Sequence, residues 1–374
     1  MQAARHGKHY ASSGIAAHPC KERKDGAPTL LLQACGVVIG KMKTFRQSFS
    51  ALALLLAASF AHAASYQYIR IGNKNDIQTK PAFGIAMMGG GSDLDEAFRW
   101  LCQKGNGGDF LILRASGSDA YNSYINGLCK LNSVATLILS DRQAAQDPAV
   151  AEIIRQAEVI FIAGGDQANY VRDWKDTPVQ DAINANLAEG KPIGGTSAGL
   201  AVLGEFVYGA LGDPPDGGAL VSAAVLLNPY AERVTLVRGF LKIPHLENLL
   251  TDSHFAKRDR MGRTLGFLAR IMQDGWSKSP REVAIDEKSA VLVEPDGKGT
   301  VLGSGKGAYF LRPTQKPEAC QKDEPLTFQG ISVYRVPAGG HFDLTSWTGD
   351  GGTAYSLSVE KGKIDSTQAN HGVY

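Results

Sequence analysis

Between Phe83 and Gly199 short apolar runs alternate with amphipathic segments, and this alternation constrains the fold more than any other feature. Gly84–Met88, Phe110–Leu113, Val134–Leu139, Val159–Ala163 and Lys191–Gly194 read as strands. Leu94–Lys104, Asp119–Lys130, a segment opened by Asp147-Pro148, and Pro178–Glu189 read as helices. In Leu94–Lys104 the residues Leu94, Ala97, Phe98 and Leu101 recur at helical spacing. Pro148 falls in a first helical turn, where its missing N–H costs little, and Gly190 closes Pro178–Glu189. Strands that are apolar on both faces and alternate with helices lie between two helical layers. The fold class is therefore α/β: a doubly wound, mostly parallel sheet with flanking helices. Ligands of such sheets bind beyond the carboxyl ends of the strands. The turns Gly89-Gly90-Gly91 and Gly164-Gly165-Asp166-Gln167, and the end of the last strand, are expected to share that edge.

Beyond Gly204 the character shifts. Tyr208–Gly218 is a Gly/Pro/Asp loop expected near the mouth of the site, Ser253–Gln273 reads as a helix, and Val283–Val293 as strand–turn–strand. From Val301 onward β-branched and aromatic residues alternate with Gly and Pro turns, which predicts hairpins attached to the main sheet. With no repeat or low-complexity linker, residues 64–374 are expected to form one domain, β-rich from residue 289.

The first 63 residues are set apart. Met42-Lys43-Thr44-Phe45-Arg46 is a basic start, Ala51–Ala61 an apolar core too short to span a bilayer, and Ala61-His62-Ala63 a small-x-small cleavage site. Residues 42–63 are thus expected to be a signal peptide and residues 1–41 an upstream extension, giving a secreted or periplasmic protein. Removing the 8 Lys+Arg and 2 Asp+Glu of residues 1–63 leaves 31 basic and 35 acidic residues, turning a net charge of +2 into −4. Non-specific attraction to nucleic acid or to an anionic membrane is not expected of such a chain. Cys102, Cys129 and Cys320 remain; an oxidising compartment permits a Cys102–Cys129 disulfide with Cys320 free. The odd count and the spacing argue against a disulfide scaffold and a zinc site.

Gly195-Thr196-Ser197-Ala198-Gly199 follows the strand ending near Gly194. A Gly-x-Ser-x-Gly run at a strand end turns the chain sharply into a helix and lifts one hydroxyl clear of the sheet, at a helix N-terminus. Such a serine is a nucleophile if a base is in reach; otherwise the pentapeptide is an ordinary small-residue turn. Four histidines lie beyond residue 63: His245, His254, His341 and His371. His371 falls in a polar tail, His341 in a late hairpin turn, and His245 among apolar neighbours. His254 sits in Asp252-Ser253-His254-Phe255, followed by Lys257, Arg258, Arg260 and Arg263. Like charge there would hold an imidazole neutral and ready to accept a proton, although a solvated basic helix with an incidental histidine reads the same way. An acid to orient the imidazole is available as Asp286 or Glu287, and either is equally a cap or turn residue.

Together, Gly-Gly-Asp-Gln (164–167), Gly-Thr-Ser-Ala-Gly (195–199), Asp-x-His-Phe-x-x-Arg-x-Arg-x-x-Arg (252–263) and Ile-Asp-Glu (285–287) resemble the cyanophycinase family, serine exopeptidases related to aspartyl dipeptidase, over roughly Phe83 to Arg312. The order Ser, His, acid differs from that of α/β-hydrolases. The resemblance implies Ser197 as nucleophile, His254 as general base and Glu287 as its acidic partner. It implies an oxyanion hole from the N–H groups of Asp166 and Ala198, and a substrate pocket lined by Gln167, Asp252, Arg258, Arg260 and Arg263. No metal or cofactor is implied. Cyanophycinases cut a polyaspartate polymer, each side chain amide-linked to arginine, into β-Asp-Arg dipeptides; three arginines suit its carboxylates. Asp93, Asp95 and Glu96, which follow the triple-glycine turn, are candidates to meet its guanidinium groups. Ser253 stands where the family often carries Gln, which removes reach from one contact. The family implies a homodimer. The alternatives are a related secreted aspartyl or isoaspartyl dipeptidase, or a catalytically silent binding protein on the same fold.

Overall fold

The computed structural model describes residues 66–214 and 218–374; the extension 1–41 and the signal segment 42–63 lie outside the described residues. In chain order the described strands are β1 (Tyr66–Gly72), β2 (Ile85–Met88), β3 (Asp109–Arg114), β4 (Ser133–Leu139), β5 (Val159–Ile162), β6 (Ile193–Thr196), β7 (Phe206–Tyr208), β8 (Leu236–Arg238), β9 (Leu249–Asp252), β10 (Arg281–Ile285), β11 (Ser289–Val293), β12 (Lys298–Gly303), β13 (Ala308–Pro313), β14 (Phe328–Val336), β15 (His341–Asp343), β16 (Thr348–Asp350), β17 (Thr353–Glu360) and β18 (Lys363–Ser366). The helices are α1 (Asp95–Lys104), α2 (Ala120–Leu128), α3 (Arg142–Gln146), α4 (Pro148–Gln156), α5 (Gln167–Trp174), α6 (Pro178–Ala188), α7 (Ala198–Ala201), α8 (Ser222–Leu227) and α9 (Met261–Gln273).

The first sheet has the order β1-β4-β3-β5-β6-β2-β11-β12-β15-β16. Its heart, β4-β3-β5-β6-β2, is parallel throughout, as the alternating pattern predicts. Side chains of a strand point alternately to opposite faces, and here both faces are covered. Phe110, Ile112, Val159 and Phe161 pack with Phe98 and Leu101 of α1 and Ile125 of α2. Leu111, Leu113, Ile160 and Ile162 pack on the other face with Val150 and Ile154 of α4 and Val179 and Ile183 of α6. Each such fully buried aliphatic side chain contributes about 1.5–3 kcal/mol relative to exposure. Asp147 caps α4 by accepting from Ala149 N–H, which fits the expected helix start. One strand of this sheet escaped the periodicity reading: β1 pairs antiparallel to β4 along its whole length.

A second sheet, β18-β17-β14-β13-β10-β9-β7-β8, corrects the expectation that the late hairpins extend the main sheet. Only β11, β12, β15 and β16 do so. Val283 and Ile285 of β10 face the same core as β5 and β6, while Ala284 packs with Leu265 and Leu268 of α9 on the far side. Val283–Val293 is therefore no hairpin: β10 pairs with β9 and β13, and β11 with β2 and β12. Residues 286–288 carry the chain from one sheet to the other. They pass so close to β2 that a Cβ on Gly89 would meet the Asp286 carbonyl oxygen at 2.0 Å. Apolar runs announced both strands, but pairing with distant partners decided their sheets.

The predicted helix over Ser253–Gln273 begins only at Met261. His254 and Asp259 adopt positive φ, 45° and 48°, which no helix contains. Tertiary acceptors hold the segment on this non-helical path: Gly89 O takes His254 N–H, Ile285 O takes Phe255 N–H, and the Asp286 carboxylate takes Lys257 N–H.

Candidate active site

Ser197 stands between β6 and α7 with φ 54° and ψ −116°, a conformation that costs a non-glycine residue about 1–3 kcal/mol. The surroundings impose it. Ser197 N–H donates to Met88 O at 3.2 Å. A Cβ on Gly195 would lie 2.6 Å from the Gly199 backbone, and one on Gly199 would lie 1.9 Å from Ile162 O. Both glycines of the pentapeptide thus permit a close backbone crossing. Thr196 Oγ1 donates to Asp93 at 2.6 Å, and the Tyr121 hydroxyl donates to the other oxygen of Asp93 at 2.5 Å.

The imidazole of His254 faces this hydroxyl across the junction of the two sheets. Ser197 Oγ lies 2.7 Å from His254 Nε2, and His254 Nδ1 lies 2.7 Å from Glu287 Oε1. The His254 hydrogen bond holds the Glu287 carboxyl below the usual carboxylate range, so Glu287 is an acceptor and Nδ1 carries the proton. Nε2 is then free to accept from the serine. Burial pushes the His254 pKa down; the Glu287 hydrogen bond opposes this, and Arg258 and Arg260 add to the depression. The direction agrees with the sequence reading, yet burial outweighs the arginines as its cause. The triple-glycine turn is the bed of this pair. A Cβ on Gly90 would sit 2.5 Å from the imidazole, and one on Gly91 would sit 3.1 Å from Glu287 Cβ. Of the two acids left open by the sequence, Glu287 meets the imidazole, whereas Asp286 accepts from Lys257 N–H at 2.8 Å.

Beside the serine lies a cavity of about 600 Å³ whose wall includes Asp166, Gln167, Tyr208, Arg258, Arg260 and Arg263. Ala210, Leu211, Asp213 and Pro214 of the expected mouth loop also line it. Asp252, predicted as a pocket residue, is instead buried behind the wall and holds two of the arginines. Arg263 donates to both its oxygens at 2.9 and 2.6 Å, and Arg260 donates at 3.0 Å. Burial raises the Asp252 carboxyl, but Arg263 and Arg260 together outweigh it and hold the group below its ordinary range. Burial takes Arg260 down to about 10 despite that partner. Ser253 is buried beside this cluster, its carbonyl accepting from Arg260 at 2.9 Å and its hydroxyl at 3.4 Å. Arg258 is half exposed and 3.9 Å from Glu287, so it keeps most of its donors for a ligand.

The remaining candidates fall elsewhere. Asp93, Asp95 and Glu96 do not line the cavity: Asp93 is engaged by Thr196 and Tyr121, Asp95 accepts from Tyr124, and Glu96 is exposed on α1. His245 contacts the Pro295 carbonyl at 3.0 Å, His341 is exposed on β15, and His371 is exposed beside Asp365. Cys102 and Cys129 are joined in a disulfide, and Cys320 is free and buried. Tyr208, read as the first residue of the mouth loop, ends β7 and lines the pocket wall; sequence reasoning missed Arg172 of the same wall, and its place on the helix opened by the Gly-Gly-Asp-Gln turn was the available signal.

A serine, histidine and carboxylate in one hydrogen-bonded line beside a cationic cavity define the geometry of a serine-type hydrolase. The profile of Peptidase family S51 matches residues 86–216, a window that holds the glycine turns and Ser197 but ends before His254. The chain is similar to the cyanophycinase of Trichormus variabilis, 27% identical over 218 residues, 56% of this chain and 65% of that one. It is 31% identical to the cyanophycinase of Synechococcus elongatus over 178 residues, 47% of this chain and 48% of that one. The chain thus spans about half to two thirds of the curated relatives it matches. Among solved structures, a peptidase from an acI-B1 Actinobacterium is 19% identical, with a TM-score of 0.42 over 62% of this chain and 91% of that one. The resemblance to cyanophycinases read from the motifs is borne out.

Proposed function

We propose that this chain is a secreted serine exopeptidase that hydrolyses cyanophycin to β-Asp-Arg dipeptides through an acyl-enzyme on Ser197. One observation carries the reading: the line Ser197–His254–Glu287, with both links at 2.7 Å, lies next to a cavity lined by the loosely engaged Arg258, 3.9 Å from Glu287. In the proposed reaction His254 Nε2 takes the hydroxyl proton as Ser197 Oγ attacks the scissile carbonyl carbon. The same nitrogen protonates the leaving amine as the C–N bond breaks, then deprotonates the water that hydrolyses the ester. Among the described residues no group accepts from the N–H of Asp166 or of Ala198, which leaves both for the developing oxyanion. The arginine cavity supports a substrate with carboxylates close to the cleaved bond. The Cys102–Cys129 bond supports an oxidising compartment.

The test is to incubate the purified protein with cyanophycin and weigh the products. β-Asp-Arg is expected from the wild type, and Ser197→Ala should abolish turnover while leaving the unfolding midpoint nearly unchanged. Substantial residual turnover in that variant would refute the nucleophile. A cavity of about 600 Å³ also suits a single dipeptide, so an aspartyl or isoaspartyl dipeptidase is the second reading. Faster turnover of β-Asp-X dipeptides than of the polymer would select it.

A further inference from the structure

We infer that Tyr374 is a positioning residue for the substrate-binding arginines: its phenol fixes the backbone from which Arg258 and Arg260 project. The inference rests on the proposed role of the arginine cavity.

The segment His254–Arg260 is a non-helical loop closed by two left-handed residues, His254 and Asp259. Its first half is held from the front by Gly89 O, Ile285 O and Asp286. Its second half is held by Arg260 N–H on the Phe255 carbonyl, by the Ser222 hydroxyl on the Asp259 carbonyl, and by one phenol that joins Asp259 to the start of α9. Tyr374 Oη accepts from Met261 N–H at 2.8 Å and donates to Asp259 Oδ1 at 3.0 Å, so the two bonds bracket Arg260 in the chain. The Met261 N–H is one of the first-turn donors of α9, which a helix cannot satisfy internally. Asp259 is the strained residue next to Arg258. The ring has little freedom to leave. It stands edge-on to Phe255 (5.8 Å, 82°) and to Tyr309 (5.9 Å, 87°), and Tyr355 donates to the Val373 carbonyl at 3.0 Å. Arg260 has a second anchor in Asp252, but Arg258 makes only the 3.9 Å approach to Glu287. Arg258 is therefore the side chain whose aim depends most on the Tyr374 bracket. His254 does not depend on it, since Gly89 O, Gly90 and Glu287 hold the imidazole from the opposite side.

Tyr374→Phe keeps the ring and removes both bonds. The experiment compares labelling rates of Ser197 by two serine-directed phosphonates, one neutral and one carrying an aspartyl side chain. The expected result is a fall of about tenfold in the rate for the acidic probe, since small misplacement of a positioning group is costly, with the neutral probe changed less than twofold. In an Arg258→Ala background the same substitution should no longer separate the probes. Equal loss for both probes, or independent effects of Tyr374→Phe and Arg258→Ala, would overturn the inference. Hydrogen exchange of the full chain supplies a readout without activity: the 254–263 peptide should exchange faster in Tyr374→Phe, and the 85–91 peptide should not. Unchanged exchange over 254–263 would also overturn it. If the wild type fails to label with either probe, the proposed function fails, and the exchange result alone decides the role of Tyr374.

Discussion

The two halves of the site are held by different physics. The nucleophile half, on the parallel sheet, is held by shape: Gly195 and Gly199 allow backbone to cross backbone with no space for a methyl group. The half that carries the arginines, on the second sheet, is held by buried charge: Asp252 ties Arg260 and Arg263 together where all three are at least nine-tenths buried. A crowded backbone keeps its geometry at any pH. A buried ion cluster keeps it only while its charges match.

The sharpest way to break this contrast is Asp252→Ala. Two buried guanidinium groups would lose their counter-ion, and a loss of about 3–5 kcal/mol in urea unfolding is expected. Asp252→Asn should cost nearly as much, although it preserves the shape. A harmless Asn variant would show that packing, not charge, holds this half. The sign of the pH dependence follows from the depressed carboxyl of Asp252. Its stabilisation is present above the unfolded value of about 3.9 and lost as pH falls through the folded value.

Gly199→Ala is the matching test of the other half. The added Cβ would meet Ile162 O at 1.9 Å, and a destabilisation of about 3 kcal/mol is expected. That loss should be the same at pH 5 and pH 8; a strong pH dependence would contradict a steric cause.

A smaller effect separates Asp252 from its neighbour Glu282. This carboxyl is fully buried, accepts from Thr264 Oγ1 at 3.0 Å and leaves its second oxygen unpaired. Burial, with the nearby charge of Asp252, pushes its pKa well above the ordinary value. A raised acid contributes fully below its unfolded pKa and loses that contribution as pH rises toward the folded one. Glu282→Gln should therefore gain on the wild type by up to about 1.4 kcal/mol per pH unit above pH ~4.5. Parallel stability–pH curves for the two proteins would refute a neutral Glu282.

The smallest expected effect concerns His254. Its depressed pKa places the acid limb of neutral-phosphonate labelling below pH ~6.5. Because burial outranks the arginines as the cause, Arg258→Ala should raise that limb by only a few tenths of a unit, on the order expected for a half-exposed charge. A shift of a full unit would make Arg258, rather than burial, the main influence.

These halves also differed in how far they could be read beforehand. The parallel strands, their helices and the Ser197 turn were legible because each is a local pattern: an apolar run, a helical stripe, a pair of glycines. The second sheet was not. Val283–Val293 displays two strands and a turn in its residues, yet nothing local tells that β10 and β11 belong to different sheets. The run 252–263 showed its arginines, but not that Arg260 and Arg263 are committed to Asp252 while Arg258 stays loosely engaged. Nor could local sequence reveal that Tyr374 lies against Met261, 113 positions earlier in the chain.

The residue types and their spacing thus determined by themselves the parallel core, the exposed hydroxyl and a short set of acids and bases, since propensity and periodicity act over a few residues. The family motifs pointed to His254 and Glu287, but only the tertiary structure brought them to Ser197 in one hydrogen-bonded line and decided which guanidinium remained for a ligand. Those choices are pairings between groups far apart in the chain, and their energies depend on burial and distance that arise only when the two sheets pack.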